Sequence, residues 1–261
     1  MREETAVAKV SVCIEMLFTE VDFCQRPAKV AEVGLKAVEF WGAEGKDIGR
    51  LKDACEQAGV AVAAMLGPAP FALIKEHSAR TLVREMRDVA RIAHELRVPT
   101  LIATVGNRRA RVPARRQTDT IVRNLKAIAP VAQDEGLRLA LEPLNTLVDH
   151  KGYFLQYSED ARRIVERVGS PAVGLLYDVY HMQIMEGNLI ETIRRMADVI
   201  YHVHVADVPG RHEPGTGEIN YANVLQALEA TGYAGYCGFE FKPTSDSAAS
   251  VQRALRACRL V

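Results

Sequence analysis

Eight times along the chain, a short apolar or alternating run that reads as a strand is followed by a stretch of helical period. The strand-like runs are KVSVCIEM (Lys9 to Met16), KAVEFWG (Lys36 to Gly42), VAVAAML (Val60 to Leu66) and TLIATVG (Thr100 to Gly106). They continue with LRLALEPLN (Leu137 to Asn145), AVGLLYDVYH (Ala172 to His181), YHVHVAD from Tyr201, and YCGFEFK (Tyr236 to Lys242). Helix signals sit between them. Asp47 to Gly59 opens on Asp and closes on Gly, and Ser158 to Gly169 begins with a capping serine and an acidic first turn. Eight such units in about 250 residues match the size of one (β/α)8 TIM barrel. A doubly wound sheet would show a Gly-rich phosphate turn after its first strand, and the chain has Met16, Leu17, Phe18 and Thr19 there. The expectation is an α/β fold, a single barrel domain over residues 1–261.

Composition narrows the partners. Lys plus Arg and Asp plus Glu both number 33, so the formal net charge is zero, which argues against a nucleic-acid or anionic-membrane binder. The five cysteines form no CxxC pair and fit a reducing compartment. The charged N-terminus has no apolar stretch behind it, and no apolar run approaches the ~18 residues of a membrane span. A soluble, cytoplasmic protein with a small-molecule substrate is expected. Apolar residues on outer helix faces leave a homo-oligomer open.

In a barrel of this kind the reactive groups lie at the carboxyl ends of the strands. Four successive strands end on chargeable groups, namely Glu142, Asp178, His204 and Glu240. Alternation puts His202 and His204 on one side of their strand, with Val203 and Val205 on the other. Three carboxylates and one imidazole form a hard, oxygen-rich site suited to one Mg²⁺ or Mn²⁺. Without a cation, those carboxylates would repel one another and take up protons. The Pro/Gly-rich loop after His204 carries Asp207, Arg211, His212 and Glu213 and reads as an active-site rim.

Other residues carry two readings on spacing alone. Tyr180 and His181 follow Asp178 on the same strand end, and His181 is either a substrate-oxygen ligand or a buried structural histidine. Arg211 and His212 either meet an anionic or hydroxyl-bearing substrate or are solvated loop charges. Arg108, Arg109, Arg111, Arg115 and Arg116 make an anion clamp or, more commonly, a solvated face. Trp41 suits a pocket wall and Phe40 the core.

The segments EPLN (Glu142 to Asn145), YDVYHMQIMEGN (Tyr177 to Asn188), HVHVADVPGRHEPGTGEINY (His202 to Tyr221) and GFEFKPT (Gly238 to Thr244) resemble the hydroxypyruvate isomerase family, within the xylose-isomerase-like sugar isomerases and epimerases. The resemblance covers the whole length and is most specific from Leu141 to Thr244. It implies that Glu142, Asp178, His204 and Glu240 bind one divalent metal, and that Glu142 and Glu240 double as acid/base groups on opposite faces of the substrate. It implies that His181 and Arg211 hold substrate oxygens, Arg211 after allowing one extra loop residue. The related ketose 3-epimerases commonly carry a Glu six residues after the first metal Glu; Val148 stands there and counts against a hexulose 3-epimerase. His204, where some hydroxypyruvate isomerases have Gln, resembles the epimerases.

The expected reaction is an aldose–ketose type isomerisation, hydroxypyruvate to tartronate semialdehyde, by Glu-mediated proton transfer through a metal-stabilised enediolate. The alternatives are a ketose 3-epimerase or other small-sugar isomerase, a metal-dependent phosphodiesterase of the endonuclease IV type, and a non-catalytic sugar-binding barrel.

Overall fold

The computed structural model describes residues 9–260. Eight parallel strands close into a barrel in chain order: β1 (Lys9–Cys13), β2 (Ala37–Phe40), β3 (Ala61–Leu66), β4 (Thr100–Ala103), β5 (Arg138–Leu141), β6 (Val173–Asp178), β7 (Ile200–Val205) and β8 (Tyr236–Phe239). The last strand pairs back onto the first, from Lys9 beside Tyr236 to Val12 beside Phe239. The helices are α1 (Arg26–Glu32), α2 (Ile48–Ala58), α3 (Ala79–Leu96), α4 (Ala114–Asp134) and α5 (Ser158–Val168), then α6 (Val179–Met185) and α7 (Leu189–Met196) together between β6 and β7. They end with α8 (Tyr221–Glu229) and α9 (Ser247–Ala257). This is the single (β/α)8 barrel expected from the alternation. Among the described residues no helix is long and apolar enough to cross a membrane.

Local signals account for most boundaries. Asp47 accepts the Arg50 N–H to start α2, and Gly59 closes it in the left-handed conformation at φ 65°. Two expectations fail at this level. Ser158 is the first residue of α5, not its cap; Tyr157 holds the cap position, and the serine hydroxyl instead donates to Glu186 at 2.7 Å. The sixth strand stops at Asp178, so Tyr180 and His181 lie in α6. The Asp178 carboxylate accepts the His181 N–H at 2.9 Å, and that cap turns the chain into a helix where an apolar run suggested more strand.

Most strands are shorter than their apolar runs. Glu142 and Glu240 sit one step beyond β5 and β8, yet each N–H still reaches across the ladder, to Ala103 O at 3.0 Å and Val205 O at 3.2 Å. Their backbones are therefore held as firmly as strand residues.

The barrel interior has two halves. On β3 to β6 it is filled by Ala64, Ile102, Ala140 and Leu176, a small apolar cluster separate from the large core under the helices. On β1, β2, β7 and β8 it is polar, with Ser11, Glu39, His202 and His204 all buried. Register shifts fall between Val38 and Glu39 on β2 and between Leu175 and Leu176 on β6. Irregularities of this kind re-aim side chains beside active sites.

Candidate active site

At the carboxyl end of the barrel, Glu142, Asp178, His204 and Glu240 converge from β5, β6, β7 and β8. One potential ligand atom from each lies within 4.8 Å of the others, and all four residues are buried. His204 Nδ1 stands 3.4 Å from Glu142 Oε1, 3.4 Å from Glu240 Oε2 and 3.8 Å from Asp178 Oδ2. Among the described residues that nitrogen has no hydrogen-bond partner. A buried, unbonded ring nitrogen facing three carboxylates fits a divalent cation among them.

The electrostatics of the cluster divide its members. Burial pushes the Glu142 carboxyl up, with His204 opposing, and burial likewise raises Asp178 against the pull of Arg211 and His204. Burial also works against charge on Glu240, but the Arg211 guanidinium and His204 outweigh it and hold that carboxyl well below its usual range. His204 is disfavoured as a cation by burial, yet Glu240 and Glu39 draw its pKa well above the ordinary value. Protons and a metal ion would therefore compete for the same buried atoms.

Trp41 and Arg211 both reach Glu240. The indole N–H donates to Oε1 at 2.9 Å, and the Arg211 guanidinium donates to Oε2 in a close ion pair while its carbon rests 5.3 Å from the Tyr180 ring centroid. Trp41 remains 42% exposed, so it is a wall of the site, and Phe40 is in the core.

His181 is fully buried and faces the cavity. Asn145 decides its tautomer. Its Oδ1 accepts the N–H groups of Val148 and Asp149, both at 3.0 Å, so its Nδ2 must be the donor to His181 Nδ1 at 2.7 Å. His181 thus carries its proton on Nε2, which makes no hydrogen bond among the described residues and lies 3.5 Å from Asp178 Oδ2. Burial and the nearby Arg211 hold its pKa well below the ordinary value, leaving a neutral ring with one N–H free to donate.

A cavity of about 290 Å³ opens over the cluster, walled chiefly by Trp41, Leu66, Phe71, Ile102, Leu144 and His150. Larger clefts at the opposite end of the barrel, around Lys36 and Gly59, contain no comparable convergence of ligand atoms among the described residues.

The loop after β7 is only partly a rim. Asp207 is fully buried and organises the loop: its carboxylate accepts the N–H groups of Val208, Gly215 and Gly217 at 2.9 Å and of Ile219 at 3.1 Å. Gly217 is required there, because a Cβ would lie 2.1 Å from Val208 O. Glu213 is buried under Thr244 and Arg253, and His212 faces Lys242 O, so neither lines the cavity. Asp207→Ala should leave four N–H groups without their acceptor, at about 1–3 kcal/mol for each that stays dry. The expected result is a lower Tm together with a weakened hold on Arg211, read as a raised KM. Unchanged Tm and KM would show that the loop does not depend on this residue.

The arginines at 108–116 also stay out of the cavity lining; Arg109 lies 3.9 Å from Glu76, and Arg108 stacks on Phe154. Sequence reasoning passed over Asn145 and Glu39. For Glu39 there was a signal, a lone acid within the apolar run KAVEFWG. Asn145 closes the EPLN segment that carries the resemblance, but its neighbours give no sign of its pairing with His181.

A family model described as xylose isomerase-like TIM barrel matches residues 27–259. A putative hydroxypyruvate isomerase of Danio rerio is 32% identical over 260 residues, covering 95% of this chain and 94% of that protein. The hydroxypyruvate isomerase of Escherichia coli K12 is 33% identical over 251 residues, covering 94% and 97%. Among solved structures, one described as an AP endonuclease, family 2, from Brucella melitensis superposes with a TM-score of 0.89 at 27% identity, covering 94% of this chain and 96% of that one.

Proposed function

The chain belongs to the xylose isomerase-like TIM barrel family, and from that premise we propose that it interconverts hydroxypyruvate and tartronate semialdehyde with one divalent ion. Relatives alike over nearly their whole length make it an isomerase; the substrate and the residue roles are the proposed part. The observation that carries the reading is the convergence of Glu142, Asp178 and Glu240 on the unbonded Nδ1 of His204. These four residues would hold Mg²⁺ or Mn²⁺, whose charge acidifies a C–H beside a carbonyl and lowers the cost of negative charge on the neighbouring oxygens.

Glu142 and Glu240 trade the proton. One takes it from C3 of hydroxypyruvate, a Glu returns it to C2, and a proton passes from the C3 hydroxyl to the C2 oxygen. The enediolate between these steps needs no external oxidant or reductant. Brønsted behaviour favours groups whose pKa lies near the working pH, so Glu142, raised by burial, is the better matched partner in proton exchange. Arg211 keeps Glu240 charged and stands where a substrate carboxylate can share its remaining donors. The Nε2–H of His181 donates to a substrate oxygen, and Trp41 with the apolar wall excludes water.

The test is proton NMR in D₂O with Mg²⁺ or Mn²⁺, against hydroxypyruvate, a four-carbon 2-oxo acid and a panel of neutral ketoses. Deuterium should enter hydroxypyruvate beside its carbonyl as tartronate semialdehyde accumulates. Exchange only in a ketose would make the protein a sugar isomerase or epimerase; no exchange in any compound would remove the proton-transfer reading. The naming of the Brucella melitensis match motivates one further arm, an oligonucleotide with an abasic site. Zero net charge does not suit tight phosphate-backbone binding, and the expected result is no cleavage.

A further inference from the structure

Beneath the candidate site, the polar half of the barrel holds a carboxylate to which the proposed chemistry assigns no role. Glu39, on β2, is 2% exposed. Its Oε2 accepts the Ser11 hydroxyl at 2.7 Å and the His202 Nε2–H at 2.9 Å, while its Oε1 lies 3.0 Å from His204 Nε2. The space it fills is left by Gly238 on β8, which pairs with His204 across the sheet. A Cβ on Gly238 would lie 2.3 Å from Oε1 and 2.4 Å from Oε2. Neighbouring strands β8, β1 and β2, together with β7, thus shape one cradle around this side chain.

The two ring nitrogens of His204 face different groups. Nδ1 looks toward Glu142, Asp178 and Glu240, and Nε2 looks toward Glu39. The contact between Nε2 and Oε1 is close but not aligned as a hydrogen bond, and among the described residues neither atom has a hydrogen bond elsewhere. A neutral imidazole carries one proton, and a carboxylate ringed by donors can only accept. With the proton on Nε2, the lone pair of Nδ1 is free for an ion.

Resting on the metal reading above, we infer that Glu39 is a positioning residue that fixes His204 as the Nε2–H tautomer and thereby sets the affinity of the site for its ion. Gly238 is glycine because the Glu39 carboxylate needs its volume. Carboxylate partners of metal-bound histidines act in this way generally, and losing one costs about 10–100-fold in metal affinity.

The experiment is calorimetric titration of Mn²⁺ into the full chain, stripped with chelator. The wild type should bind one ion. Glu39→Gln puts an NH₂ where donors already point, and Gly238→Ala pushes the carboxylate aside; both should bind Mn²⁺ about 10–100-fold more weakly while circular dichroism shows a folded barrel. On wild-type protein labelled with ¹⁵N-histidine and loaded with Mg²⁺, His204 should show a protonated Nε2 and an unprotonated Nδ1. This second measurement decides the matter should either variant fail to fold. Unchanged affinity in a folded Glu39→Gln, or a proton on Nδ1, overturns the inference and leaves the metal reading intact. Two Mn²⁺ per chain would place a second ion on Glu39, His202 and His204, which also lie within 4.8 Å of one another, and overturns it too. A wild type that binds no ion removes the metal reading and this inference with it.

Discussion

Glu142→Gln and Glu240→Gln should each lower kcat by about 10²–10⁴-fold, the usual weight of a positioned acid or base, with the barrel intact. The change is nearly isosteric, so packing is kept while proton exchange is lost. At Glu240 the amide oxygen can still accept from the Trp41 indole, but the ion pair with Arg211 disappears. At Glu142 burial already favours the uncharged form, so Gln there should not lower the Tm of metal-free protein. Both residues are also candidate ligands, so rates must be compared at Mn²⁺ concentrations that saturate each variant. The clean readout is deuterium uptake at saturating Mn²⁺, which reports the proton step apart from binding. Wild-type exchange in either variant would remove the two-carboxylate scheme.

The second large effect is expected on chelation. EDTA should stop turnover and deuterium uptake, and added Mn²⁺ or Mg²⁺ should restore both. The fold offers an independent readout. An ion at 100 times its Kd stabilises the native state by about 2.7 kcal/mol, on the order of 5–10 °C in Tm for a chain of this size. The sign of the pH dependence follows from the shifts at the site. Glu142 and Asp178 have folded pKa values above their unfolded ones, so in the metal-free protein they favour folding below the unfolded carboxyl range. That contribution is lost as pH rises through the raised values. Glu39 behaves oppositely: burial resists its charge, but His204 and His202 hold it at about 2, so its contribution declines as pH falls from the unfolded carboxyl range toward that value. Metal binding needs Glu142 and Asp178 deprotonated, so affinity should climb with pH over the same range in which the metal-free protein loses stability. A Tm indifferent to Mn²⁺ at every pH would remove the metal site.

Much of this protein was legible in its residues because hydrophobic period is a local property. Alternation in YHVHVAD places His202 and His204 on one face wherever that strand ends up. Eight strand–helix repeats then admit few closed arrangements, and the barrel places Glu142, Asp178, His204 and Glu240 at one end without further information. What misled the local reading was equally physical. AVGLLYDVYH is apolar enough to continue as strand, but Asp178 caps a helix, so His181 sits on a turn of α6 beside Asn145.

The sequence by itself therefore determined the order of the elements, the faces of the strands and the four groups gathered at the barrel mouth. Tertiary structure alone decided the partnerships that give those groups distinct properties. Trp41 and Glu240 are 199 residues apart, and Glu39 and His202 are 163 apart. The Gly238 volume taken by the Glu39 carboxylate leaves no trace in the neighbours of either residue. Periodicity is carried by adjacent residues. Contact across a closed barrel depends on register and twist accumulated over all eight strands, and these exist only once the ring has closed.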